Sequence, residues 1–140
     1  MTTLKRILLG LTLTLSALNP ALATESADNT KLYFISPADG AELTSPITVK
    51  FGLAGMGVAP AGIDKKNTGH HHLLINLDKL PNMSLPLPND SQHKHFGGGQ
   101  TETTLKLAPG KHTLQLLLGD MNHMPHTPAV LSDKITITVK

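Results

Sequence analysis

Eight histidines in 140 residues, with no cysteine and no tryptophan, are the side chains with the most chemistry to offer. Seven fall in three short stretches: His70-His71-His72, His93 with His95, and His123 with His126. Imidazole is the commonest metal-ligating side chain and binds when neutral, its ordinary state near pH 7. Alternate residues of an extended segment face the same way, so His70 with His72, and His93 with His95, each present two rings on one side. The stretch Asp120 to His126 adds the thioethers of Met121 and Met124, soft donors suited to Cu(I), while imidazole suits Cu(II) or zinc. With thiolates absent, the implied cofactor is a copper or zinc ion. The candidate ligands are His70, His72, His93, His95, His123 and His126. Their spacing matches no fixed metal signature.

A competing account needs no ion. Rings that bond to backbone carbonyls and to each other would order the long loops, and the protein would be a metal-free structural or interaction module for a cell-envelope partner. A third account is a pH-responsive surface, because unperturbed histidine titrates near 6.5. His71 shares the face of Leu73, Ile75 and Leu77 and is expected to point inward. Met56, Met83, Met121 and Met124 each read more readily as packing residues than as ligands. His112, in Leu107-Ala108-Pro109-Gly110-Lys111-His112, occupies a corner where sandwiches place an aromatic tied to its own backbone, so its expected role is structural.

The elements that must position these rings are strands. Period-two alternation dominates, and no segment carries a sustained helical stripe. Expected strands are Lys31 to Ser36, Ile47 to Leu53, His70 to Leu77, Thr101 to Leu107, His112 to Gly119 and Asp133 to Val139. Pro37-Ala38-Asp39-Gly40 and Ala108-Pro109-Gly110-Lys111 mark turns. The pattern implies an all-β fold, an antiparallel immunoglobulin-like sandwich of about seven strands. Three connections are long: Ala54 to Gly69, Asp78 to Gln100 and Asp120 to Ser132, and long loops in a compact domain are usually functional or disordered. The histidines meet only if the chain crosses the sandwich once more between Asp78 and Gln100. An edge strand near Met83 to Leu87, limited by Pro81, Pro86 and Pro88, is the expected crossing. Gly97-Gly98-Gly99 suits either a close backbone approach to a ligand or a turn with positive φ.

Composition and the N-terminus narrow the function further. Lys5 and Arg6, the apolar run Ile7 to Leu18, and Ala21-Leu22-Ala23 read as a secretory signal peptide over residues 1–23. The expected mature domain is 24–140, starting at Thr24, and its expected location is the periplasm or the exterior. The run is 12 residues long, short of the about 20 needed to span a bilayer. The mature part carries ten lysines, ten acids and no arginine, which excludes a nucleic-acid partner. One tyrosine and no tryptophan leave little for a sugar-binding platform. His-Glu-x-x-His, Gly-x-Ser-x-Gly and a cysteine nucleophile are all missing, so the chain is not expected to be an enzyme. Of the nearby carboxylates Asp90, Glu102 and Asp120, any beside a histidine would orient a ligand ring or make an ordinary loop contact.

Four runs carry a resemblance: Phe51-Gly52-Leu53 with Gly55 to Gly62, Gly69 to Ile75, His95 to Thr103, and Pro109 to Leu116 continuing through Gly119-Asp120, His123, Pro125 and His126. Together, over about Lys31 to Val139, they resemble a bacterial family of small exported proteins catalogued only as a domain of unknown function. The resemblance implies a secreted or periplasmic all-β domain without an established activity. It also implies that the positions of His70 to His72, His95, His123 and His126 belong to the family pattern, whereas those of Met121 and Met124 vary.

Overall fold

The computed structural model describes residues 22–140. Of the expected signal segment only Leu22 and Ala23 fall within that range. Nine strands form in chain order: β1 Lys31–Ser36, β2 Glu42–Leu43, β3 Ile47–Ala54, β4 Gly57–Val58, β5 Thr68–Ile75, β6 His93–His95, β7 Glu102–Leu105, β8 Gly110–Gly119 and β9 Ile135–Val139. They build two sheets, β1-β3-β7 and β2-β9-β8-β5-β4, with β6 also pairing β5. All long pairings are antiparallel; only the two-residue β2 and β4 run parallel to their neighbours. The fold is an all-β sandwich, with the six expected strands and three short additions.

The alternation seen in the sequence supplies the layer between the sheets. Leu32, Val49, Phe51, Leu73, Ile75, Leu105, Leu114, Leu116, Leu118, Ile135 and Ile137 all meet there. Burying an aliphatic side chain of this size is worth about 1.5–3 kcal/mol, so this layer is what holds the sandwich together. β5 departs from the one-wet-face pattern, because every residue from Gly69 to Ile75 is buried. Its second face is covered by the long connections. Leu74 and Leu117 on the outer side meet Leu87, with Leu77, Met83 and Leu131 packed around them. That smaller apolar cluster clamps the 76–92 and 120–131 connections over the sheet.

The extra crossing exists, in a different place. Met83–Leu87 forms no strand; Met83 and Ser84 lie in a turn. The return is made by β6, which runs antiparallel to β5 with His95 opposite His72 and His93 opposite Leu74. The next residue, Phe96, enters the core, stacking 4.9 Å from Phe51 and donating its N–H to the His71 carbonyl at 3.1 Å. Three prolines deny Met83–Leu87 the ladder hydrogen bonds a strand needs, while His93–His95 has none. No helix among the described residues is long and apolar enough to cross a membrane.

Candidate metal centre

β5 sends His70, His72 and Leu74 to the outer face of the sheet and Gly69, His71, Leu73 and Ile75 to the inner one. On the outer face His70 and His72 are fully buried, and their Nε2 atoms stand 3.0 Å apart. One of the two must donate and the other accept, so the rings carry opposite tautomers. β6 brings His95 alongside, with ring centroids 5.0 Å from both His70 and His72. His70, His72 and His95 each offer a nitrogen within 4.8 Å of the others. His123 closes the fourth side, its ring 4.7 Å from His95, 5.1 Å from His70 and 6.2 Å from His72. His95 and His123 are half-buried, whereas His70 and His72 lie beneath them fully buried.

Removal from water sets the charge state of this group. Burial pushes His70 down to about 4, helped by the neighbouring His95 and His123 rings and opposed by the Asp120 carboxylate. Burial, then His70, His95 and His123, drive His72 down to about 2. His95 is lowered as well, by burial and then by His123. These three rings are therefore neutral at pH 7, the form that ligates a metal. His70 Nδ1, His72 Nδ1 and His95 Nε2 are buried without a hydrogen-bond partner. An orphaned buried polar atom costs about 1–3 kcal/mol, so the cluster is held together at a cost that its packing must offset.

Geometry close to the rings demands glycine. A Cβ on Gly119, opposite His70 in the ladder, would stand 2.8 Å from His72 Nε2. One on Gly97 would stand 2.3 Å from His95 Cε1. Gly99 holds φ at +83° and makes the turn, the second of the two roles that the glycine triplet suits. The His123 loop is built by Asp120, whose Oδ1 accepts the N–H groups of Asn122 at 2.8 Å and Met124 at 3.0 Å. His123 itself sits at φ +66°, a left-handed conformation that histidine tolerates better than most residues. Its carbonyl accepts the Leu87 N–H at 2.8 Å, tying the two covering connections together.

The remaining candidates stand elsewhere. His93 turns to Asp90, with Nδ1 2.8 Å from Oδ1, and this pairing holds the exposed Asp90 carboxyl below its usual range. His126 is buried with Nδ1 2.9 Å from Thr24 Oγ1, and its Nε2 lies 2.8 Å from where a Gly69 Cβ would be. Gly69 belongs to the inner face, so the sheet separates His126 from His70 and His72. Burial lowers the His126 pKa, with Asp120 and Thr24 opposing. His71 points inward as expected, 5.1 Å from Phe51. His112 ties its corner: Nε2–H donates to the Ala108 carbonyl at 2.8 Å and Nδ1 accepts from Asn76 Nδ2 at 3.0 Å. Met56 and Met83 pack against the two apolar clusters. Glu102 lies on β7 in the other sheet, opposite Lys50. Gly119 and Gly97 escaped the sequence reading as parts of the centre, and the signal for them was their place in the Gly119-Asp120 and His95-x-Gly97 motifs.

No curated protein matches the chain. Among solved structures, the endo-β-1,4-mannanase of Thermotoga petrophila is similar at 18% identity with a TM-score of 0.47, over 79% of this chain and 20% of the mannanase chain. The chain therefore corresponds to a minor part of that protein. A family model described as a domain of unknown function, DUF4399, matches residues 49–140. The match starts after β1 rather than at Lys31, and it contains all four histidines of the centre together with Gly97, Gly119 and Asp120. On that match the chain belongs to the family of domains of unknown function DUF4399.

Proposed function

We propose that this protein binds a Cu(II) or zinc ion outside the cytoplasm through His70, His72 and His95, with His123 completing the set, and that it sequesters or delivers that ion. The observation that carries the reading is the buried His70–His72 pair, Nε2 to Nε2 at 3.0 Å, with His95 beside it. Three nitrogens each bound at about 2.1 Å to one ion stand about 3.4–3.6 Å from one another. The triad lies within 4.8 Å, so it would close on an ion by side-chain movement of about an ångström. The donors are imidazoles alone, which suits Cu(II) and zinc better than Cu(I). Two rings come from a rigid central strand and two from its covering segments. The two rings on the covering segments are the half-buried ones, which suits an ion that must be exchanged. His112 bonds a backbone carbonyl, as the metal-free account has it, while His93 is taken by the Asp90 carboxylate and His126 by the Thr24 hydroxyl.

Calorimetric titration of metal-stripped protein with Zn(II) and Cu(II) tests this. Binding tighter than about 10 μM, near 7 kcal/mol, is expected. Absence of binding at that level overturns the reading in favour of a metal-free interaction module.

A further inference from the structure

Asp120 spends its two carboxylate oxygens on different parts of the chain. Oδ1 holds the loop that carries His123, as above, while Oδ2 accepts the backbone N–H of Thr24 at 3.2 Å. Thr24 is held at three points: its N–H by Asp120, its Oγ1 by His126 Nδ1 at 2.9 Å, and its carbonyl by the Thr127 N–H at 3.0 Å, and Glu25 and Ser26 continue the contact with Thr127. Just before it the attachment ends, for Leu22 is 84% exposed. Thr24 is also the residue after the Ala21-Leu22-Ala23 cleavage pattern. Two independent features, a peptidase motif and a buried carboxylate, thus point at one nitrogen atom.

We propose that removal of the signal creates a functional contact: the new α-ammonium group of Thr24 forms an ion pair with Asp120 and locks the His123 loop in the mature protein. The step is hydrolysis of the Ala23–Thr24 peptide bond by a signal-removing endopeptidase. Water supplies hydroxyl to the Ala23 carboxylate and hydrogen to the Thr24 amine, which takes a further proton from solvent. A secondary amide with one N–H is replaced by a cation with three. The recess lined by Thr24, Glu25, Lys65, Lys66, Asp120 and Met121 gives the ammonium room on its open side. Asp120 is buried to 1% exposure, so its charge is poorly solvated and gains from a fixed counter-ion. Before cleavage the same carboxylate receives only one hydrogen bond from an uncharged amide. The inference does not depend on which ion the histidines take, or on their taking one.

The test uses metal-free protein beginning at Thr24, with a free or an acetylated α-amine. Acetylation removes the charge and two of the three N–H groups and restores the secondary amide that precedes cleavage. The free amine should melt about 4 °C higher than the acetylated form, and the difference should shrink below about 1 °C in Asp120→Asn. Mass spectrometry of the exported protein should find Thr24 as its first residue. A different first residue, or equal melting of the free and acetylated proteins, overturns the proposal, and so does a difference that persists undiminished in Asp120→Asn. The first two readouts need no variant, so they decide the matter even where Asp120→Asn fails to fold.

Discussion

The two faces of β5 carry nearly the same residues and do different things. Both are buried, and each bears histidine followed by leucine or isoleucine at every second position. On the inner face His71 stands alone among Phe51 and the aliphatic core, with neither ring nitrogen bonded. Burial keeps it neutral by pushing its pKa down to about 4, an effect the Gln100 backbone offsets only in part. On the outer face His70 and His72 are equally dry, but they touch each other and two more rings. Burial alone therefore does not gather histidines into a cluster. The difference lies in what covers the strand: an apolar sheet on one side, and histidine-bearing connections on the other.

That contrast can be broken at several points. Acidification acts on both faces and should have the largest effect. In the unfolded chain each ring takes its proton near 6.5, whereas His70 and His71 take theirs only near 4 and His72 near 2. Between those values the unfolded state binds more protons. Stability of the metal-free protein is thus full above about pH 6.5 and falls as the pH drops toward 4, on the order of 3 kcal/mol per ring at the limit. Thermal melts across pH 4–8 check this, and a flat profile would contradict it. His72→Ala touches the outer face alone and should weaken Zn(II) binding at least about 100-fold, near 3 kcal/mol, while His93→Ala leaves it within about threefold. Calorimetry on both variants reads the difference.

Gly119→Ala sharpens the comparison without removing a ring. Its Cβ falls 2.8 Å from His72 Nε2, and because that ring is buried it cannot swing aside. A cost of about 1–3 kcal/mol in urea unfolding is expected, together with roughly tenfold weaker metal binding. His71→Leu on the inner face should do the opposite on a smaller scale. It removes two orphaned nitrogens for a side chain of similar size, so stability should rise by about 1 kcal/mol with metal affinity unchanged. A large loss of binding in His71→Leu would erase the distinction between the faces.

How much of this was legible beforehand follows from where the information lies. Alternation in Ile47 to Leu53 and in Asp133 to Val139 reports a dry and a wet face directly, so the sandwich could be read from local pattern. The inward turn of His71 and the corner bond of His112 followed from the same parity and turn logic. β6 could not be read that way, because His-Lys-His has no apolar alternation and is held by pairing with β5 and by Phe96. His93 and His95 share one face of their strand, yet Asp90 takes the first and β5 takes the second. His126 is claimed by Thr24, more than a hundred positions away in the chain, a contact no local pattern encodes. Sequence spacing gathers candidate ligands; tertiary partners decide which of them stay free to ligate.

The most direct measurement is a crystal structure of the protein soaked in Zn(II), with anomalous data at the zinc edge. The account predicts one strong peak on the outer face of β5, about 2.0–2.1 Å from nitrogens of His70, His72 and His95. A peak at His93 with Asp90 or at His126 in place of that one, or no peak at all, would contradict it.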